Sequence, residues 1–161
     1  MRILVLSDTH GDNSRAYQVF DKLKKETPVD LIIHCGDYYK DAIQMSERTG
    51  VPTVWVKGNT DGSFSEDDYT IVETPYGNLL VTHGHMENVD FSQQNLYYKA
   101  QEKDCAAVSC EMISGCKIGV KADQNDKQKQ VDDKPGRIIA ARIVFDLPDF
   151  DRSSHAVPDL M

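Results

Sequence analysis

Four short apolar runs, each closed by a polar cluster rich in Asp, His or Gly, constrain the fold of this chain more than any other feature. Ile3-Leu4-Val5-Leu6 runs into Ser7-Asp8-Thr9-His10, and Leu31-Ile32-Ile33 leads to Gly36-Asp37. Val54-Trp55-Val56 precedes Gly58-Asn59-Thr60-Asp61, and Leu79-Leu80-Val81 precedes Thr82-His83-Gly84-His85. Such runs, short and closed by polar residues, are the pattern of buried strands. Helical spacing lies between them. Ala16, Val19, Phe20 and Leu23 follow a cap at Asp12 or Asn13 and stop at Pro28; Ala42, Ile43 and Met45 precede Gly50. This alternation predicts parallel strands joined by right-handed crossovers. In open α/β sheets, ligands gather outside the carboxyl ends of the strands. Those ends deliver Asp8, His10, Asp37, Asn59 and His83 to one place, a donor set for one or two divalent cations.

Strands are expected over residues 2–7, 29–34 and 51–56. The style changes near residue 62, where an acidic loop, 63–68, precedes a hairpin. Tyr69 to Glu73 and Asn78 to Thr82 flank the turn signal Thr74-Pro75-Tyr76-Gly77-Asn78. A helix is expected over 92–103, capped by Ser92, with Leu96, Tyr97 and Ala100 on one face. Cys105 to Cys110 is a further apolar run. Lys121 to Lys134 reads as a solvated polar tract, and Ile138 to Phe145 as a strand ended by Pro148.

Size and charge narrow the function. A chain of 161 residues favours one domain, 1–161, with enough core to fold without staples. A net charge of -8 argues against broad nucleic-acid binding. No apolar stretch approaches the roughly 20 residues that span a bilayer, so no membrane partner and a cytoplasmic location are expected. The four cysteines form no Cys-x-x-Cys pair, which leaves zinc ribbons and thioredoxin motifs unsupported. No Gly-x-Gly-x-x-Gly or Walker-type loop follows the first strand, which disfavours a plain nucleotide-binding domain. Asp8-Thr9-His10-Gly11-Asp12 would repel phosphate unless a cation sat between them.

The series Asp8/His10, Gly36-Asp37, Gly58-Asn59 and His83-Gly84-His85 resembles that of the calcineurin-like metallophosphoesterases, in particular the small bacterial and archaeal phosphodiesterases. The resemblance is strong over residues 1–108 and faint over 109–161. It implies an α/β fold, the four-layer α/β/β/α sandwich, and a centre of two divalent metal ions. Mn is the expected metal, with Zn, Ni, Fe or Mg as alternatives. Asp8 and His10 would hold the first ion, Asp37 would bridge both, and Asn59 and His83 would hold the second. Two such ions hold a bridging hydroxide at neutral pH and clamp the phosphoryl oxygens during in-line attack. Asn59 and His85 are the candidates for direct phosphate contact. The implied activity is hydrolysis of a small-molecule phosphoester, most simply a phosphodiester. A homo-oligomer is compatible with the sequence.

Two departures from the family stand out. Its Gly-His-x-His motif, which supplies two further histidine ligands, is absent from these 161 residues. Met112 and Ser114, or in a later register Cys116, stand where it is expected, and His155 is the sole histidine further along. Each ion would then lose one protein ligand. Thr60 stands where some larger relatives carry a histidine that protonates the leaving group, so good leaving groups should be favoured. The missing histidines motivate a second reading, a binding or scaffold module on the same fold.

Overall fold

The alternation of side chains along β1 (Ile3–Leu6) determines the layering of the molecule. Ile3 and Val5 point to one side and Leu4 and Leu6 to the other, and all four are buried. A strand buried on both faces needs a layer on each side. The structure is a computed structural model that describes residues 1–62, 69–89 and 91–110. Within them, β1, β2 (Leu31–His34) and β3 (Thr53–Trp55) form a parallel sheet in the order β1-β2-β3, with Leu6 paired to His34 and His34 to Trp55. Two helices, α1 (Ser14–Glu26) and α2 (Tyr39–Thr49), lie between the strands in sequence. Ala16 and Phe20 of α1 and Met45 of α2 pack on Leu4, Leu6 and Ile32, which covers the outer face.

The inner face meets a second sheet. The hairpin β4 (Tyr69–Thr74) and β5 (Gly77–Thr82) is antiparallel, and β6 (Cys105–Cys110) adds to β5 in parallel. Ile3, Val5, Leu31, Ile33 and Val56 of the first sheet pack against Leu79, Val81 and Ala107 of the second. Beyond it, α3 (Gln94–Glu102) sets Leu96 and Ala100 on Leu80 and Cys110. The result is helices, sheet, sheet, helix: the four-layer α/β/β/α sandwich.

Several expectations change in detail. Tyr97 is exposed, because Leu96 and Ala100 share a helix face that the next residue, about 100° round, does not. Ile43 is exposed for the same reason, while Ala42 and Met45 are buried. Asn13 sits at the N-cap of α1, yet its amide donates to the Asp41 carbonyl at 3.0 Å; Asp12 Oδ1 accepts the Ser14 N–H instead. The N-cap of α3 is Gln93, without a side-chain cap, and Ser92 Oγ, one residue before it, accepts the Gln94 N–H at 3.2 Å. The hairpin turns within the expected Thr74–Asn78 signal, its strands, 69–74 and 77–82, each reaching one residue further toward the turn than 69–73 and 78–82, and the C-cap falls at Gly50. The loop 63–68, the tract 121–134, the strand 138–145, Met112, Ser114, Cys116 and His155 lie outside the described residues.

His34, at the end of the central strand, is fully buried. Its Nδ1 accepts the Gly36 N–H at 3.3 Å, so Nε2 carries the proton and donates to Thr9 Oγ1 at 3.0 Å. Burial pushes the imidazole down from 6.5 to about 4, against the pull of Asp41 and other nearby carboxylates. The unfolded chain therefore binds a proton near pH 6.5 that the folded chain refuses until about pH 4. Stability from this group is present above pH 6.5 and is lost as the pH falls toward 4. Between pH 7 and pH 5 the expected loss is about 2 kcal/mol. Urea melts at the two pH values check this, with His34→Gln as control; an unchanged pH dependence in that variant would contradict the assignment.

Candidate metal centre

Parallel pairing puts the carboxyl ends of β1, β2 and β3 at one edge, so the loops that follow them meet there. The first loop leaves β1 at Ser7, and Asp8 (φ 53°) and His10 (φ 48°) adopt the left-handed conformation. The Asp8 N–H donates to the Gly36 carbonyl at 3.1 Å, which stitches this loop to the second. Thr9, between the two candidate ligands, is fixed by His34. The Gly11 N–H donates to Asp41 Oδ2 at 2.8 Å, so a buried carboxylate at the start of α2 holds the far end of the loop.

In the second loop Asp37 (φ 56°) and Tyr38 (φ 86°) are also left-handed. Of six non-glycine residues with positive φ among the described residues, these two loops hold four. Such strain concentrates where a structure must hold side chains in a fixed place. The third loop approaches through glycine. A Cβ on Gly58 would lie 2.1 Å from Asp37 Oδ1 and 2.4 Å from the Asp37 nitrogen, so any larger residue would displace the carboxylate. The close approach lets the Thr60 N–H donate to Asp37 Oδ1 at 3.1 Å. Asp61 closes the arrangement. Its Oδ2 accepts from Gly58 N at 2.9 Å, and its Oδ1 accepts from Tyr38 N at 2.7 Å and Tyr39 N at 3.0 Å.

The fourth contribution comes from the other sheet, where β5 ends at Thr82 and releases His83 into the same region. His83 is buried, and its Nε2 lies 3.4 Å from Asp37 Oδ1. Its Nδ1 lies 3.3 Å from His85 Nδ1. The loop is anchored by Glu87, a buried carboxylate that accepts the Thr82 hydroxyl at 3.1 Å and pairs with Lys99 of α3. Thr82 Oγ1 in turn accepts the Gly84 N–H at 3.3 Å.

One donor atom each from Asp8, Asp37 and His83 lies within 4.8 Å of the other two. Two of these residues carry buried atoms with no hydrogen-bond partner, Asp8 Oδ2 and His83 Nε2. A buried carboxylate oxygen left without a donor is costly. Burial pushes the His83 imidazole below its ordinary value against the pull of Asp37 and Asp8, which keeps the ring neutral. In the tautomer that donates Nδ1–H to His85, Nε2 presents a lone pair toward the Asp37 carboxylate. Acceptors facing one another across such gaps fit a cation between them. The donor set, carboxylate with imidazole, suits Mn, Zn or Fe.

The other candidates lie at the rim. His10 Nε2 is 3.8 Å from Asp8 Oδ1, with a side chain 54% exposed, and it is outside the triad. Asn59 is exposed on the third loop, between Gly58 and Thr60. His85 is half-buried beside His83. The roles of Asp41, Asp61 and Glu87 were not legible beforehand. Each accepts backbone or side-chain donors across the fold, and although Asp61 lies in the cluster at 58–61, nothing local in the sequence marks which partner any of the three takes.

Residues 1–110 match the calcineurin-like phosphoesterase superfamily domain. The chain is similar to the probable metallophosphoesterase YsnB of Bacillus subtilis, 32% identical over 102 residues that cover 63% of this chain and 57% of YsnB. It is similar to the probable metallophosphoesterase MG207 of Mycoplasma genitalium, 33% identical over 108 residues, 65% of this chain and 61% of that one. The similarity thus spans less than two-thirds of the length of these relatives. Among solved structures, a conserved protein of Streptococcus pneumoniae TIGR4, titled a "predicted phosphoesterase", aligns with a TM-score of 0.54 and 30% identity, over 68% of this chain and 60% of that one. A single mutant of Vps29 from Entamoeba histolytica aligns with a TM-score of 0.55 at 17% identity, over 68% and 63% of the two chains, which shows the shared fold.

Proposed function

The chain belongs to the calcineurin-like phosphoesterase superfamily, and on that premise we propose that it hydrolyses small-molecule phosphodiesters with two divalent cations, Mn²⁺ first among them. The observation that carries this reading is the triad Asp8, Asp37 and His83, with unpartnered buried acceptors on Asp8 and His83. In the proposed assignment Asp8 and His10 would hold one cation, Asn59 and His83 would hold the other, and Asp37 would serve both. Two bound cations supply Lewis-acid charge, which lowers the pKa of water and offsets negative charge on the phosphoryl oxygens.

The rest is work for the chain itself. The Thr60 N–H fixes the rotamer of Asp37. Asp61 locks the second and third loops to each other. His85 orients His83, and with Asn59 it contacts the phosphate. Thr60 does not protonate the leaving group as a histidine there would, so esters of acidic alcohols and phenols react fastest. We place the reaction in the cytoplasm.

Bis(p-nitrophenyl) phosphate with added Mn²⁺ tests the reading. Turnover is expected, lost on adding EDTA and restored by excess Mn²⁺. Absence of turnover with each of Mn²⁺, Zn²⁺, Ni²⁺ and Mg²⁺ would sink it. The missing Gly-His-x-His motif supports a second reading, a binding module on this fold, which predicts indifference to chelators.

A further inference from the structure

We propose that Tyr38 is a stacking platform that selects phosphoesters carrying an aromatic ring, a nucleotide or an aryl phosphate, at the metal centre. The inference rests on the phosphoesterase reading and adds a substrate class to it.

Tyr38 directly follows Asp37 and opens α2 with φ 86° and ψ 61°, a conformation that bulky residues rarely take. The surroundings enforce it, because Asp61 Oδ1 accepts the N–H of both Tyr38 and Tyr39. The ring lies over Gly11, one residue beyond His10. A Cβ on Gly11 would meet Tyr38 Cε1 at 3.6 Å and Cζ at 3.8 Å. The tyrosine therefore bridges the loops that carry Asp8 and Asp37. Despite that backing it is 42% exposed. A large aromatic residue held in a strained backbone, backed on glycine and open to solvent, is a surface for a ligand rather than a piece of core.

The neighbourhood fits an anion with a ring. Tyr39, the next residue along the chain, stacks on Trp55, with centroids 4.9 Å apart and planes at 28°. Lys57, just before Gly58, sets Nζ 5.9 Å from the Tyr39 ring and brings positive charge to the rim of a chain with net charge -8. Tyr39 and Trp55 already stack on each other, whereas no described aromatic ring stacks on Tyr38. A base or phenyl ring on a phosphate held at the metal centre would find that face.

Calorimetry on the full chain in Mn²⁺ tests the platform, with AMP, phenyl phosphate and ribose 5-phosphate as probes. Tyr38→Gly is the variant of choice, since glycine takes this φ without strain. It is expected to weaken AMP and phenyl phosphate about tenfold, the size of one stacked ring. Ribose 5-phosphate, which has no ring to stack, should change less than about twofold. Tyr38→Phe should retain the preference. A loss for AMP alone would identify nucleotides as the source of the ring. Equal losses for all three ligands, no loss for any, or a Tyr38→Phe as weak as Tyr38→Gly would overturn the platform while leaving the phosphoesterase reading intact. Failure of all three to bind the unaltered chain would overturn the platform, while the phosphoesterase reading stands or falls on turnover of bis(p-nitrophenyl) phosphate.

Discussion

Asp37→Asn is expected to lower Mn²⁺-dependent hydrolysis of bis(p-nitrophenyl) phosphate by about 10³-fold or more, the several kcal/mol that a metal centre contributes to phosphoryl transfer. The substitution is close to isosteric. Asparagine retains an oxygen for the Thr60 N–H, which lies 3.1 Å from Asp37 Oδ1, so the loop contact survives. What disappears is a buried negative charge 3.4 Å from His83 Nε2. Two cations in one pocket would need that charge most, since each would repel the other and a shared carboxylate would offset both. With like-charged Asp8 also in the triad, removing one carboxylate relieves repulsion in the metal-free chain. The thermal midpoint without metal should therefore hold or rise, while the increase that Mn²⁺ brings should shrink. A variant that keeps both its turnover and its Mn²⁺-induced stabilisation would remove Asp37 from the centre.

Gly36→Ala carries the second large effect, on the fold and the site together. Gly36 has φ 109°, outside the region that L side chains adopt. A Cβ there would lie 2.7 Å from Gly58 N, 2.9 Å from Gly58 Cα and 2.7 Å from His83 Cδ2. Two of these neighbours are backbone and cannot swing aside. Strain and overpacking together cost about 3 kcal/mol. For a chain of this size that lowers the thermal midpoint by about 6–12 °C. Relief requires the second and third loops to separate, which pulls Thr60 from Asp37 and shifts His83. Metal binding should fall with stability, and added Mn²⁺ should recover only part of the loss. Differential scanning calorimetry with and without Mn²⁺ reads both effects; a midpoint within 2 °C of the unaltered chain, about 1 kcal/mol or less, would contradict the packing argument.

The legible part of this fold is the part written in short-range pattern. Ile3 to Leu6 could be read as a strand buried on both faces because four apolar residues in a row need two covers. Gly50 marked the end of α2 because it takes the left-handed C-cap, at φ 69°. The turn at Thr74-Pro75-Tyr76-Gly77 announced the hairpin. Asp8 and Asp37 stood out because acids at the ends of parallel strands converge, and His83 because an imidazole closes the apolar run of β5, in the sheet packed against theirs.

What escaped was long-range. Asp41 accepts the Gly11 N–H across 30 residues, and Asp61 accepts from Tyr38 across 23. Such contacts exist only once the loops have met, so no window of sequence shows them. Asn13 read as a cap because Asn caps helices locally, yet a carbonyl 28 residues away claims its amide. Tyr38 carried no signal either, since its significance lies in a backbone angle and in the glycine beneath it.

The central claim is that Asp8, Asp37 and His83 hold divalent cations, and titration calorimetry with Mn²⁺ addresses it most directly. The unaltered chain should take up Mn²⁺ saturably toward two ions per chain. Asp8→Ala and His83→Ala should each weaken that uptake by more than about 100-fold, beyond the 10–100-fold typical of residues that only support a ligand. Saturable uptake that ignores both substitutions, or no uptake at all at millimolar Mn²⁺, would contradict the account.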